Sequence, residues 1–204
     1  YLMSPSRSFT SRATRAFTLI EILVVMGIMA VVATIVGVGL SRGGEGAALT
    51  AGQSLLVSQL NAARAQAALG ASRSALVVAA DASDLTRDHR FLVVAIEAAG
   101  IWRAVSDGTT LPNSVLVRGL SEGSTLLTQT LAVALDPGDT TTTCSAVVFE
   151  AEGRISTVGG GVIWLSVGIR NEDGWSFSPD APSRGISMSR YGAITPLDDW
   201  EGVF

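Results

Sequence analysis

The longest apolar stretch of the chain lies near its start. From Ile22 to Ser41 there are 20 consecutive residues without a charged side chain. A helix rises about 1.5 Å per residue, so this stretch spans roughly 30 Å, the thickness of the hydrocarbon core of a bilayer. The apolar part of a secretory signal peptide is shorter, at about 7–15 residues. The pattern therefore predicts one membrane-spanning helix.

Residues 47–69 show the period of an amphipathic helix. Apolar residues recur there at spacings of 7, 4, 3 and 4, which places them on one helical face. They are Leu49, Leu56, Leu60, Ala63 and Ala67. We expect this narrow stripe to pack under a sheet, with a coiled-coil partner as the alternative, and Gly70 to end the helix. Between the two segments, glycines at 37, 39, 43, 44 and 46 predict a flexible joint, because glycine weakens a helix.

After residue 73 the pattern changes to short apolar runs of the kind that form strands. The clearest is 162–169, in which alternate residues such as Ile163, Leu165 and Val167 share one face. Loops are predicted at Asp107-Gly108, at 136–139 and at 171–174. The other candidate strands are 74–80, 90–97, 101–105, 114–118, 126–135, 145–150, 154–157, 185–190 and 193–196. The sequence thus predicts an α+β fold, with a long N-terminal transmembrane and amphipathic helix followed by a mainly antiparallel β domain.

The charges indicate how the chain is oriented in a membrane. All 14 basic residues are arginine, and the formal net charge is −4. Arg7, Arg12 and Arg15 precede the apolar stretch, so the positive-inside rule places the N-terminus in the cytoplasm and exports the rest. Without a leader that ends at residue 16, 11 arginines would face 18 acids, for a net charge of −7. Such an acidic domain argues against nucleic acid as a partner.

One acid stands at the edge of the apolar stretch. Glu21 alone is compatible with a carboxylate that snorkels to the lipid boundary. Its setting favours another interpretation, because residues 15–25 read Arg-Ala-Phe-Thr-Leu-Ile-Glu-Ile-Leu-Val-Val. This resembles the cleavage and methylation motif of prepilins: a short basic leader, a small residue, then F-T-L-I-E and an apolar helix. The chain is therefore similar to the type IV pilin and pseudopilin superfamily.

The resemblance implies a series of processing and assembly steps. A prepilin peptidase would cut between Ala16 and Phe17, and the new amine of Phe17 would be N-methylated. Glu21 would become the fifth residue of the mature chain and pair with the terminal amine of a neighbouring subunit. Where the family usually has Gly before the cut, this chain has Ala16, which is also small and therefore compatible with cleavage.

The resemblance also implies partners, location and domain bounds. The partners would be prepilin peptidase, other pilin or pseudopilin subunits, an inner-membrane assembly platform and membrane lipid. The chain would cross the bacterial inner membrane once, with a cytoplasmic N-terminus and a periplasmic C-terminal domain. Its parts would be a basic prepilin leader (1–16), a transmembrane helix (17–41), an amphipathic continuation of that helix (42–70) and a β-rich pilin-like domain (71–204).

Two further segments suggest a subfamily. Residues 149–154 read as a strand that runs into a glycine turn, and residues 184–194 as a strand, a turn and a strand. Together with the helix at 47–69 they resemble the H-type minor pseudopilin of type II secretion, the GspH/FimT-like family. That family implies a structural role in a pseudopilus. A related branch acts as a DNA receptor; Arg184 and Arg190 would be the local arginine patch for such a role.

No pattern in the chain predicts catalysis. The one histidine, His89, is expected in a solvated loop, and it has no companion that would make a zinc site. Cys144 is the only cysteine, and no phosphate-binding or dinucleotide-binding glycine motif occurs. We therefore expect no metal, no cofactor and no enzymatic activity; an enzyme held by a signal anchor is the last-ranked alternative.

Overall fold

The computed structural model of the chain is described here for part of its length. The described residues are 19–70, 72–80, 84, 86–112, 114–135, 141–157, 159–171, 174–177 and 181–198, with the backbone alone for 35–43, 170 and 174. The chain divides into two compact units, Tyr1–Arg42 and Gly43–Phe204.

The structure begins with one helix, and strands follow. Helix α1 covers Leu19–Gly70, and a short 3-10 helix covers Leu120–Glu122. The strands are β1 (Ser74–Ala79), β2 (Phe91–Ala98), β3 (Ile101–Ala104), β4 (Thr109–Thr110), β5 (Val115–Val117), β6 (Gln129–Ala134), β7 (Thr142–Phe149), β8 (Gly161–Asn171), β9 (Gly174–Phe177), β10 (Ser183–Met188) and β11 (Ile194–Leu197).

The first sheet closes on itself. Its strands follow the order β1-β7-β6-β3-β2-β4, and β1 also pairs with β2, which closes the first five of these strands into a ring and leaves β4 paired with β2 outside it. The pairings are antiparallel except for β3 with β6, where Trp102 lies beside Val133 in a parallel pair. Small inward residues such as Ala75, Ala95 and Ala146 are fully buried. They leave room for a narrow ring, since small inward side chains allow the strands to curve tightly.

The second sheet lies in the order β11-β10-β8-β5, and β9 pairs with the far end of β8 as a hairpin. Every pairing in it is antiparallel. The register places Ile186 opposite Ile163 and Val117 opposite Leu165. These side chains are fully buried, so this sheet presents one apolar face to the core.

The C-terminal part of α1 supplies the centre of the core. The predicted stripe packs in one cluster with residues of both sheets, such as Leu76, Phe149 and Ile163. All five stripe residues are at most 1% exposed: Leu49, Leu56, Leu60, Ala63 and Ala67. A buried Gln53 reinforces this contact, because its Nε2 donates to the carbonyl oxygens of Gly185 (2.6 Å) and Leu197 (3.0 Å). The prediction that the stripe packs under a sheet is confirmed.

The predicted α+β class and the mainly antiparallel sheet are confirmed, but several details differ. The helix continues through the glycines at 37–46, where a joint was predicted. Residues 154–157 form no strand; Ile155 makes only an isolated bridge with Phe149, because the chain turns at Gly153. Strands β4 and β9 were not predicted. The predicted loop at 136–139 lies outside the described residues.

Candidate assembly segment and the turns held by Arg64

The N-terminal part of α1 is an apolar surface on every side. Each described side chain from 19 to 34 is exposed, in contrast to the stripe further along the helix. Among its large hydrophobic residues, the fractional exposure ranges from 81% at Leu19 to 47% at Val25. Apolar residues occupy consecutive positions here, so they surround the helix axis. A helix that is hydrophobic on all sides is found buried, either in a protein core or in a membrane.

Glu21 lies in the first turn of this helix, and its side chain is exposed. The backbone N–H groups at a helix N-terminus carry a partial positive charge, so a carboxylate in the first turn is favourably placed. The other predicted site residues, Ala16 and Phe17, lie outside the described residues. The cleavage site, the methylation site and the role of Glu21 in assembly therefore stay predictions.

The polar group further along the segment is satisfied within the helix. The Thr34 hydroxyl donates to the carbonyl oxygen of Ala30 at 2.8 Å, so it needs no external acceptor. Among the described residues, no helix combines the length and the apolarity that crossing a membrane requires. The predicted span 17–41 includes residues 17–18 and the side chains of 35–41, which lie outside the description.

Arg64 joins the two segments that suggested the subfamily. Its Nε donates to the carbonyl oxygen of Gly153 (3.2 Å), its Nη1 to that of Gly192 (3.1 Å) and its Nη2 to that of Tyr191 (2.9 Å). Gly153 lies in the turn after β7 of the first sheet, whereas Tyr191 and Gly192 lie between β10 and β11 of the second. One guanidinium thus ties both sheets to α1 through a fixed fork of donors.

Both turns need glycine where they meet Arg64. Gly153 has φ +72° and Gly192 has φ +81°, a left-handed conformation that side chains disfavour. A Cβ at position 192 would also come within 2.7 Å of the Arg64 Nε. Sequence reasoning found the two glycine turns but missed Arg64, because an arginine in an amphipathic helix normally belongs to the solvated face.

The predicted arginine patch is not a free cationic surface. The Arg184 Nη1 donates to Asp198 Oδ1 at 3.0 Å, so the charge of Arg184 is offset. Arg190 is exposed and lies in a cleft of about 420 Å³ that Glu150, Glu152 and Arg154 also line. The two arginines of this cleft are therefore balanced by two acids, which leaves no excess of positive charge there for an anionic partner.

His89 lies in a turn, as expected, but it is half-buried and bonded, not solvated. Its Nδ1 is 3.1 Å from the carbonyl oxygen of Val117, and since a carbonyl only accepts, Nδ1 carries the hydrogen. The Nε2 lies 3.7 Å from Asp88 Oδ1. No group of three His, Cys, Asp or Glu residues arranged to hold a metal occurs among the described residues.

The comparisons with known proteins bear on the N-terminal segment. Residues 11–37 match the family model of the prokaryotic N-terminal methylation motif. This motif is the signal of type IV pilins and pseudopilins; it supports the superfamily and points to a pilin-like or pseudopilin subunit. It implies processing by prepilin peptidase, assembly with other pilin subunits and a membrane-anchored location. Searches of curated proteins and of solved structures gave no match.

Proposed function

We propose that this chain is a structural, non-enzymatic minor pseudopilin of the H type, a subunit of a type II secretion pseudopilus. Prepilin peptidase cuts it between Ala16 and Phe17, and the new amine of Phe17 is methylated. Its N-terminal helix holds it in the inner membrane and then in the filament, while the unit from Gly43 onward occupies the periplasm.

The exposed apolar helix within the matched motif is the observation that carries this proposal. Removing a large apolar side chain from water contributes about 1.5–3 kcal/mol, so the segment from Leu19 to Val32 represents a large driving force for insertion or association. Before assembly the apolar side chains are buried in lipid, and after assembly they are buried against neighbouring helices. Glu21 then stands in an apolar bundle, where the Phe17 amine of the next subunit is a matching cation.

The N-terminus of the protein tests the processing step. We expect mass spectrometry of the chain from cells with an active prepilin peptidase to show a methylated N-terminal Phe17. Cells that lack the peptidase should retain the leader. A chain that keeps its leader in the presence of active peptidase would contradict the proposal.

The assembly step is tested by Glu21→Ala. We expect this variant to be inserted and processed but absent from sheared or cross-linked filaments, because the pairing carboxylate is gone. Glu45→Ala is the matched control, since Glu45 is another exposed acid of the same helix. If Glu21→Ala is incorporated as well as Glu45→Ala, Glu21 is an interfacial acid and not an assembly contact.

The alternative is a minor type IV pilin that binds DNA or a surface. A chain of net charge −7 after processing, with Arg184 paired to Asp198, argues against DNA binding. Deletion of the chain distinguishes the two systems: the pseudopilin proposal expects loss of secretion with normal piliation. Salt-dependent gel shifts with the full chain in detergent would instead support the alternative.

A further inference from the structure

The loop between β3 and β4 contains a peptide link that the fold leaves unbonded. On one side of this link the chain is held to β2, because the Val105 N–H donates to the carbonyl oxygen of Val94 at 2.9 Å. On the other side β4 pairs with the start of β2. Between these anchors Asp107 is exposed, and within the described part of the chain its carboxylate has no hydrogen-bonding or ionic partner. The Gly108 N–H likewise donates to no described residue.

Asp107 differs in two respects from the other aspartates that the structure describes. Among them it alone precedes a glycine, and it alone has a carboxylate that no other side chain engages. An unheld carboxylate beside an unhindered amide is the arrangement in which an aspartate can react with its own backbone. The other described aspartates are held in place: Asp84 by Thr86, Asp88 by Trp175 and Asp198 by Arg184.

The fold requires glycine at position 108. The φ of Gly108 is +72°, in the left-handed region that side chains disfavour. A Cβ there would also overlap the Phe91 ring, which is only 8% exposed and lies under the Arg87 guanidinium, 4.9 Å from the ring centroid. Because position 108 carries no side chain, the Gly108 nitrogen can approach the Asp107 carboxyl carbon without steric hindrance from its own residue.

We propose that Asp107 and Gly108 form a spontaneous modification site, at which Asp107 isomerises to isoaspartate in the folded protein. The Gly108 nitrogen attacks the Asp107 Cγ and loses its proton, the new N–C bond closes a succinimide ring, and a carboxyl oxygen leaves as water. Water then opens the ring at the main-chain carbonyl carbon, whose bond to the Gly108 nitrogen breaks. The main chain now runs through Cγ, and the former main-chain carbonyl becomes a carboxylate. Nothing is oxidised or reduced, and the composition is unchanged.

The product is expected to loosen β4. Isoaspartate adds one carbon atom to the main chain between the two anchors, while the Phe91 ring blocks an inward movement of Gly108. The short strand β4 must therefore move to take up the added length. This strand is tied to α1 by the Gln59 Nε2, which donates to Thr109 Oγ1 at 3.2 Å, so its displacement would break that bond. The inference is independent of the filament role, and either can fail while the other stands.

The test follows residue 107 in the full chain. The chain is kept in detergent at neutral pH for several weeks, in water labelled with oxygen-18, and is then digested with trypsin. Cleavage after Arg103 and Arg118 gives a peptide in which Asp107 is the only aspartate. We expect fragment ions to show isoaspartate at position 107 with one labelled oxygen, and none at Asp84 or Asp88. Absence of the product at position 107, or equal amounts at the held aspartates, would overturn the proposal.

Comparison with the unfolded chain shows whether the fold leaves the reacting groups unrestrained. We expect the native chain to react at most about 10-fold more slowly than the chain unfolded in guanidinium chloride, a barrier difference of about 1.4 kcal/mol. Stronger protection in the native chain would mean that the fold holds the loop in an unreactive geometry, and it would overturn the proposal.

Variants confirm the origin and the effect of the product. Asp107→Glu keeps the charge but should abolish the product, because the longer side chain would have to close a larger ring. Asp198→Glu is the matched control and should leave the reaction at Asp107 unchanged; loss of the product in this variant as well would place its origin elsewhere and overturn the proposal. Amides of β4 should exchange hydrogen faster in the isomerised fraction than in Asp107→Glu, and equal exchange would overturn the inferred loosening of β4.

Discussion

The two ends of helix α1 are both rich in apolar residues, yet their surroundings are opposite. Near the start, Leu23 and Met29 are 64% and 67% exposed, and apolar residues surround the helix. Further along, Leu56 and Leu60 are fully buried, and apolar residues are confined to one stripe. The stripe is buried against the two sheets of the same chain. The all-round pattern is exposed, and a helix of that kind is normally found buried in a protein core or in a membrane.

Substitutions at the two ends of α1 should differ most in their effect on the free energy of unfolding. Leu56→Ala should lower the free energy of unfolding by about 2–5 kcal/mol, because it leaves a cavity between α1 and the sheets. Met29→Ala is the matched control and should leave that free energy unchanged. Urea unfolding of the full chain in detergent, followed by near-UV circular dichroism, measures both. Equal destabilisation by the two variants would mean that the start of the helix also packs on the folded domain.

A smaller effect is expected where α1 meets the two turns. Arg64→Lys should lower the free energy of unfolding by about 1–3 kcal/mol, because an ammonium group cannot reach the three carbonyl oxygens as the planar fork does. Arg103→Lys, at an exposed position on β3, is the control and should change little. The same urea experiment applies.

A double-mutant cycle shows whether this loss comes from the turns. Gly192→Ala should also destabilise the protein, because φ is +81° and a Cβ would crowd Arg64. If both residues act at one contact, the double variant should lose less than the sum of the single losses. Strict additivity would mean that Arg64 stabilises the protein by another route.

Local pattern and long-range pairing differ in how well the sequence predicts them. The stripe from Leu49 to Ala67 and most of the strands follow from periodicity, because burial on one face leaves a direct trace in the sequence. The pairing of β1 with β2 that closes the ring leaves no such trace in the sequence, since either edge of β1 could have paired with another strand. Strand β9 was missed because its Gly174–Phe177 run has only four residues and begins inside the predicted loop at 171–174; its pairing partner is β8.

The candidate site also has a part that the sequence predicts and a part that it does not. The motif around Glu21 is recognisable because its residues are contiguous. The Arg64 contact joins residues 89 and 128 positions apart, which no local pattern reveals. Arg118, which follows β5, and Phe177, at the end of β9, likewise come together from distant parts of the chain. Contacts of this kind depend on the sheet pairing and become visible only with the fold.

The smallest expected effect is on the pH dependence of stability, and it arises at Asp84. Two bonds from Thr86 to Asp84 Oδ1, from its hydroxyl at 2.7 Å and its N–H at 3.0 Å, lower the pKa of Asp84 below the ordinary 3.8. The ionised form is thus favoured in the folded state. Its contribution to stability is present above the unfolded pKa and is lost as the pH falls through the folded pKa.

Asp84→Asn should therefore be slightly less stable than the parent at pH 7 and should lose less stability on acidification below about pH 4. Melting temperatures of the full chain between pH 7 and pH 2.5 measure this difference. Asp107→Asn, at an exposed loop acid, is the matched control because it removes one carboxylate charge without touching the Thr86 turn. Parallel curves for Asp84→Asn and the parent would show that the turn at Thr86 does not contribute to the stability of the folded unit.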